Sequence, residues 1–272
     1  MQMKTKLHIQ VAVDNGISYL KKCYCTTPLK VLNITENKFE NEIQLMLMSS
    51  SPGILDGDEY DYKIDLEENT SLQLHTQSYQ RLFSMQGKAS QQMEINLAKN
   101  SALCFIPHPI VPQEKADFTV KNKIYLEGNC SLVFGEIITC GRKLNGEVFK
   151  FSKYHSVTEI FIRSKLIIKE NLLMQPLLCS LNTIGQLQGF THQASLIYLN
   201  EKVEIKPIII QITAILSGKK EINFGISAAP VNGLIIRILG QKAEQLFDCL
   251  KKIASFLPQG NDIKTDSLCI LK

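Results

Sequence analysis

The chain has 272 residues, 44% of them hydrophobic and 21% charged, with a formal net charge of +4. This length and apolar content support one large or two modest folded domains and exclude extended disorder. The basic residues are scattered rather than gathered into a stripe with interleaved aromatics, which argues against nucleic-acid binding.

The N-terminal segment carries charge but no apolar run of the kind a secretory signal needs, so a cytoplasmic location is expected. Alternation of apolar and polar residues predicts a strand from Leu7 to Val13, a turn at Asp14-Asn15-Gly16 and a second strand from Ile17 to Tyr24. Further strands are predicted through Val31–Ile34 and Ile43–Met48, before Ser49-Ser50-Ser51-Pro52-Gly53 breaks the pattern.

A phrase then recurs three times about 30 residues apart, over residues 58–140. It reads Ile64-x-Leu66-x-x-Asn69-x-Ser71-Leu72-x-Leu74, then Ile95-x-Leu97-x-x-Asn100-x-Ala102-Leu103-x-Phe105. The third copy is Ile124-x-Leu126-x-x-Asn129-x-Ser131-Leu132-x-Phe134. Apolar alternation on both sides of an Asn-centred turn predicts a β-hairpin, and the fixed interval predicts stacking that buries a shared face. A weaker fourth echo runs from Leu166 through Asn171 to Met174. Residues 177–186 read as a short helix or loop. Strands are predicted at 190–199 and 204–216, and a hairpin at 222–239 around Pro230–Gly233. The 3.6-residue spacing of Leu246, Phe247, Leu250, Ile253 and Leu257 predicts a helix over 241–257, stopped by Pro258. No Pro/Gly/Ser linker interrupts the chain. The reading is therefore a single, mainly β domain over 1–272, made of stacked repeats and sheets, with a strand pair and helix at 220–257.

The longest apolar runs, such as 207–210 and 234–236, are too short to span a bilayer. The eight cysteines are irregularly spaced and several lie in apolar strand patterns, so buried, reduced thiols are expected. Cys23-x-Cys25 puts two thiols on one strand face, but no second pair supplies zinc-ligand spacing.

Candidate chemistry is sparse. The loop from Pro52 to Asp61 carries four carboxylates among turn formers, which suits either a solvated turn or a cation-attracting mouth. In the third repeat Leu132 and Phe134 face inward, and alternation puts Glu136 on the same face. A carboxylate there must be ion-paired, with Arg142 or Arg81 as candidates, or protonated, or facing internal water. Glu170 poses the same question. His108 is held between two prolines that restrict its backbone. Nucleotide-binding glycine loops, the nucleophile elbow and the His-Glu-x-x-His zinc motif do not occur.

Several segments, in order, resemble those of the urease accessory proteins of the UreD type, called UreH in some bacteria. They are Ser51–Asp58, Thr76–Phe83, Phe105–Pro112, Glu136–Arg142 with Gly146–Phe149, Gly189–His192, and Gly225–Ser227 with Gly233–Gly240. One departure is Ile54 after a single Gly53, where many members carry Pro-Gly-Gly. The resemblance covers about residues 45–257. It implies a β-rich protein with no catalysis of its own, acting in a hetero-oligomer: it docks on the urease apoprotein and binds UreF, which recruits the GTPase UreG. It further implies transient passage of Ni²⁺ through an internal tunnel, with Asp58, Glu136 and Glu170 on the route, no permanently bound cofactor, no nucleic acid and no membrane. His108 is a further candidate ligand, Arg81 and Arg142 are structural or interaction candidates, and the segment after Pro258 is a candidate partner-binding tail. Two other classes stay open: an enzyme whose site gathers Glu136, Arg142 and His108 at the repeat ends, and a ligand-binding module.

Overall fold

The computed structural model describes residues 3–37 and 40–259. Its strands, in chain order, begin with β1 (Lys4–Asp14), β2 (Ile17–Cys25), β3 (Leu29–Asn33), β4 (Glu42–Ser49), β5 (Glu59–Leu66) and β6 (Ser71–Thr76). Next come β7 (Gln80–Leu82), β8 (Ala89–Leu97), β9 (Ala102–Phe105), β10 (Ile110–Pro112), β11 (Asp117–Leu126) and β12 (Ser131–Thr139). The rest are β13 (Lys153–Ile162), β14 (Lys165–Met174), β15 (His192–Asn200), β16 (Ile222–Ala228) and β17 (Gly233–Gly240), with helices α1 (Ile205–Ser217) and α2 (Ala243–Phe256). Strands make up 51% of the protein and helices 12%, in agreement with a mainly β reading.

Two sheets pack face to face. Sheet A runs β14-β13-β11-β8-β5-β1-β2, and sheet B runs β16-β17-β15-β12-β9-β6-β4-β3. The three sequence repeats do stack, in perfect register: Ile64, Ile95 and Ile124 are direct neighbours in sheet A, and Leu72, Leu103 and Leu132 are direct neighbours in sheet B. The two strands of one copy, however, do not pair with each other as the predicted hairpin would. Each copy is an arch, with its first strand in sheet A and its second in sheet B, and both pair in parallel with the same strands of the next copy. An arch and a hairpin share the same apolar alternation, which is why the pattern alone does not separate them. Their hydrogen bonds differ. Here Ala98 N–H donates to Leu66 O, Ala102 N–H to Thr70 O and Asn100 N–H to Gly128 O, each between copies.

Asn69, Asn100 and Asn129 turn the corners, all left-handed with φ of 61°, 60° and 55°. Asparagine tolerates that conformation better than other residues bearing a side chain. The corners also bond to one another, Asn100 Nδ2 donating to Asn69 Oδ1 at 3.1 Å. The fourth echo is not a fourth corner. Asn171 lies inside β14, which forms a true hairpin with β13 through Arg163 and Ser164. The actual fourth rung of sheet A is β13, where Ile160 continues the Ile64-Ile95-Ile124 ladder.

The second sheet's outer face is covered by helices, α2 against β12, β15 and β17, and α1 against β16 and β17. Gly135 makes room for α2: a Cβ there would come within 3.3 Å of Leu250 Cδ1. Helix α1 corrects the predicted strand at 204–216. Its isoleucines favour strands by propensity, yet Ile208, Ile212 and Leu216 recur every four residues and bury against sheet B. Pro207 sits in the first turn, where its missing N–H costs nothing. Residues 177–186 form hydrogen-bonded turns rather than a helix, with Leu177, Leu178 and Ile184 exposed. No helix among the described residues is long and apolar enough to cross a membrane. The seven described cysteines are free thiols. Residues 260–272, most of the candidate tail, lie outside the described residues.

The corner conformation yields a stability test. Asn100→Val should destabilise the protein by about 1–2 kcal/mol, the cost of forcing a β-branched residue left-handed. Asn100→Gly should cost less than that. Urea unfolding of the two variants checks both, and an equal loss in each would assign the effect to the asparagine ladder instead.

Candidate functional site

Register decides what the two inner faces bring together. Across sheet A one row runs Leu7, Tyr62, Met93, Asn122, Thr158, Glu170, apolar at the β1 side and polar toward the β14 edge. Across sheet B the facing row runs Glu136, Ser195, Arg237. Two polar rows therefore meet between the sheets, beside a second sheet A row that carries Thr5, Gln91 and Ser156, while the rows at the arch corners are apolar.

Glu136 lies where the alternation predicts, on the inner face with Leu132 and Phe134. It pairs with neither Arg142 nor Arg81. Tyr154 O–H donates to its Oε1 at 3.1 Å and Ser156 O–H to its Oε2 at 2.6 Å. Both donors are neutral and both stand on β13, across the sandwich. Burial pushes the Glu136 carboxyl up; the Ser156 and Tyr154 hydrogen bonds oppose this, and the charge of Glu170 adds to it. Burial, and then the Glu136 charge, also lift Tyr154 well above its ordinary value. Glu136 borders a cavity of about 150 Å³ between the sheets, lined also by Tyr60, Tyr62, Gln91, Asn122 and Tyr154. Asn122 donates from Nδ2 to Thr158 Oγ1 at 2.9 Å, while its buried Oδ1 has no protein partner. An unmet acceptor beside a cavity of this size is a natural place for water.

The cavity reaches a vestibule through Ser51, Pro52, Ser78, Tyr79 and His108, which line both. Thr76 anchors His108 twice, its Oγ1 lying 2.8 Å from both Nδ1 and the backbone N–H. The imidazole packs on Phe247 of α2, with ring centres 4.5 Å apart. Burial lowers its pKa, which favours the neutral ring. Tyr79 O–H donates to Glu244 Oε1 at 2.5 Å, tying the β6–β7 connection to the start of α2. Arg81 is exposed and lines the outer vestibule.

Asp58 is buried but does not line the cavity. Its Oδ2 accepts the Leu55 N–H at 2.9 Å, which folds the loop that carries Ser51 and Pro52. Asp56 likewise accepts Gln86 and Gly87 N–H groups, and Glu59 pairs with Lys4 at 3.3 Å. These loop carboxylates are occupied locally, which favours a structured turn over a cation-attracting mouth. Gly53 is required there: a Cβ would fall 2.4 Å from Arg81 O.

Glu170 lies at the other end of the polar rows. Its Oε2 is 2.5 Å from Arg237 Nη2, in a surface crevice also lined by Gln193 and Gly225. Arg142 is spent elsewhere, donating from Nε to Glu147 Oε2 at 2.9 Å and from Nη2 to Oε1. Of the conceivable catalytic trio, Glu136 and His108 share the cavity and Arg142 does not. His192 is buried, with Nδ1 2.7 Å from Thr191 Oγ1, and burial drives its pKa down to about 4. Among the described residues no three His, Cys, Asp or Glu side chains are grouped to hold a metal. The sequence reading missed Asn122, Tyr154, Ser156, Thr158, Ser195 and Arg237. Ser156 and Thr158 alternate between Tyr154 and Ile160, so inner-face parity carries a signal for them.

The family model described as UreD urease accessory protein matches residues 3–264. The chain is similar to the urease accessory protein UreD of Flavobacterium johnsoniae, 48% identical over 252 residues, covering 92% of this chain and 91% of that one. It is also similar to the proteins of the same name from Actinobacillus pleuropneumoniae serotype 5b, 32% identical over 269 residues (96% of this chain, 100% of the other), and Acetivibrio thermocellus, 31% identical over 255 residues (93% and 97%). With its repeats, sandwich and interior carboxylate in place, the chain belongs to the UreD family of urease accessory proteins.

Proposed function

We propose that this protein is a non-catalytic scaffold of urease maturation that passes Ni²⁺ through its interior toward the urease active site. In this reading it works in the cytoplasm within a hetero-oligomer, docked on the urease apoprotein and bound to UreF, which brings the GTPase UreG. The observation that carries the transit role is the pair of facing polar rows, Asn122-Thr158-Glu170 and Glu136-Ser195-Arg237, between the two sheets.

A cation in transit needs ligands that attract it and release it. Closed sites of three or four Cys, His or carboxylate ligands would retain the ion. Here the donors are spread out: a neutral imidazole at one mouth, one carboxylate in the cavity and one at the far crevice. Glu136 is held by hydroxyls, so no protein cation in contact with it cancels its charge. Metal binding would stabilise the ionised form that burial disfavours. Asp58 serves as a positioning group for the mouth loop. A stand-alone enzyme is less well supported, because Arg142 is turned away toward Glu147.

Glu136→Gln separates transit from architecture. Urease co-produced with this variant should contain about tenfold less nickel, the scale expected when a group tuning a metal's path is lost, while urease and UreF still co-purify with the chain. Failure of co-purification would make Glu136 architectural. Stability should move the other way. The folded Glu136 pKa lies above its ordinary 4.5, so the wild type loses stability as pH rises from there through the folded pKa. The variant escapes that loss. Its melting temperature should match or exceed wild type at neutral pH, and any excess should vanish below about pH 4.5.

A further inference from the structure

We infer that Arg237 is a displaceable cationic plug, holding the far end of the interior route closed until a metal ion competes for Glu170. The inference rests on the transit reading above. It starts from a difference between the buried carboxylate of Glu136 and the edge carboxylate of Glu170. Glu136 and Arg237 stand on the same face of sheet B with Ser195 between them, yet Arg237 does not neutralise Glu136. Its guanidinium reaches across the sandwich to Glu170 on the edge strand of sheet A. The inner carboxylate is thus left to neutral donors, and the outer one is capped by a full positive charge.

That cap matters for a cation. Glu170 cannot offer Oε2 as a ligand while Arg237 occupies it, and the guanidinium repels a divalent ion approaching from Asn122 and Thr158. Arginine stays protonated at any ordinary pH, so the plug leaves by moving rather than by losing a proton. The surroundings allow the movement. The Arg237 side chain is 57% exposed, so the pair is weakly held by burial. Gly225 is its cross-strand neighbour on the edge strand β16, and no heavy atom lies within 4 Å of the place a Cβ there would take. The displaced side chain therefore has open space beside it.

The test uses the purified full-length chain and free Ni²⁺ in a stopped-flow instrument. The sequence has no tryptophan, and Tyr60, Tyr62 and Tyr154 line the cavity, so tyrosine emission reports an ion arriving there. Arg237→Gln should speed the quenching phase about two- to fivefold, the change expected when one partly exposed ion pair leaves the barrier. Arg237→Lys, which restores the charge, should stay near wild type. Arg237→Met keeps the aliphatic stem and serves as a second opening variant, with circular dichroism and melting required to match wild type. Equal rates in Arg237→Gln and wild type, while Glu136→Gln still abolishes the phase, would overturn the plug and leave transit standing. Equal acceleration by the Lys and Gln variants would also overturn it. If Glu136→Gln leaves the phase unchanged, no ion reaches the cavity, and the transit reading falls with the plug.

Discussion

The in-register stacking of the three arches is the constraint from which the rest of the molecule follows. Once Asn69, Asn100 and Asn129 turn the chain at equivalent points, each inner-face residue is locked beside its counterpart in the next copy. Parallel pairing allows no freedom here, because a slip of one residue would turn every apolar side chain outward. Ile64, Ile95, Ile124 and Ile160 then form an unbroken ladder, all of them essentially inaccessible to solvent. Rows of this kind supply most of the buried apolar area and hence most of the stability. They also fix the height at which polar rows can form, so the positions of Asn122, Thr158 and Glu170 are consequences of the repeat register.

Burying a carboxylate is expensive unless hydrogen bonds or a counter-charge replace its water. Glu136 receives two hydroxyl donors and no cation, an arrangement that lowers the cost without abolishing it. An arginine in place of Tyr154 or Ser156 would stabilise the ionised form more, but would repel any metal ion from the cavity. The neutral donors leave the carboxyl group hydrogen-bonded but without a compensating cation.

The sequence exposed the repeat and the inward parity of Glu136 because both follow from a strict alternation of two. It did not distinguish an arch from a hairpin, since Leu66 and Leu72 face the core in either case. It also misread 204–216, where six isoleucines suggested a strand while the fourfold spacing of Ile208, Ile212 and Leu216 fits the helix. The partners of Glu136 were hidden for a different reason. Tyr154 and Ser156 lie across the sandwich from it, and only packing brings them together. Arg142 illustrates the converse: it is close in sequence to Glu136 but bonds Glu147 five residues on, because the short loop after β12 turns its side chain away.

The polar rows lie where the repeat ends, and this location has a physical basis. Within the arches the strands pair in parallel on both sides, except that β12 pairs antiparallel with β15, so most inner residues there are enclosed by apolar rungs. At β13 the pattern changes. The chain reverses into the antiparallel hairpin with β14, and sheet B continues through the antiparallel strands β15 and β17. These strands owe nothing to the repeat spacing, so Ser156, Thr158, Glu170, Ser195 and Arg237 can occupy inner positions without breaking the isoleucine ladder. The edge at β14 also lets Glu170 and Arg237 keep contact with water, which makes their ion pair exchangeable rather than permanent. The regular part of the fold supplies rigidity, and the irregular part admits polar side chains to the space between the sheets.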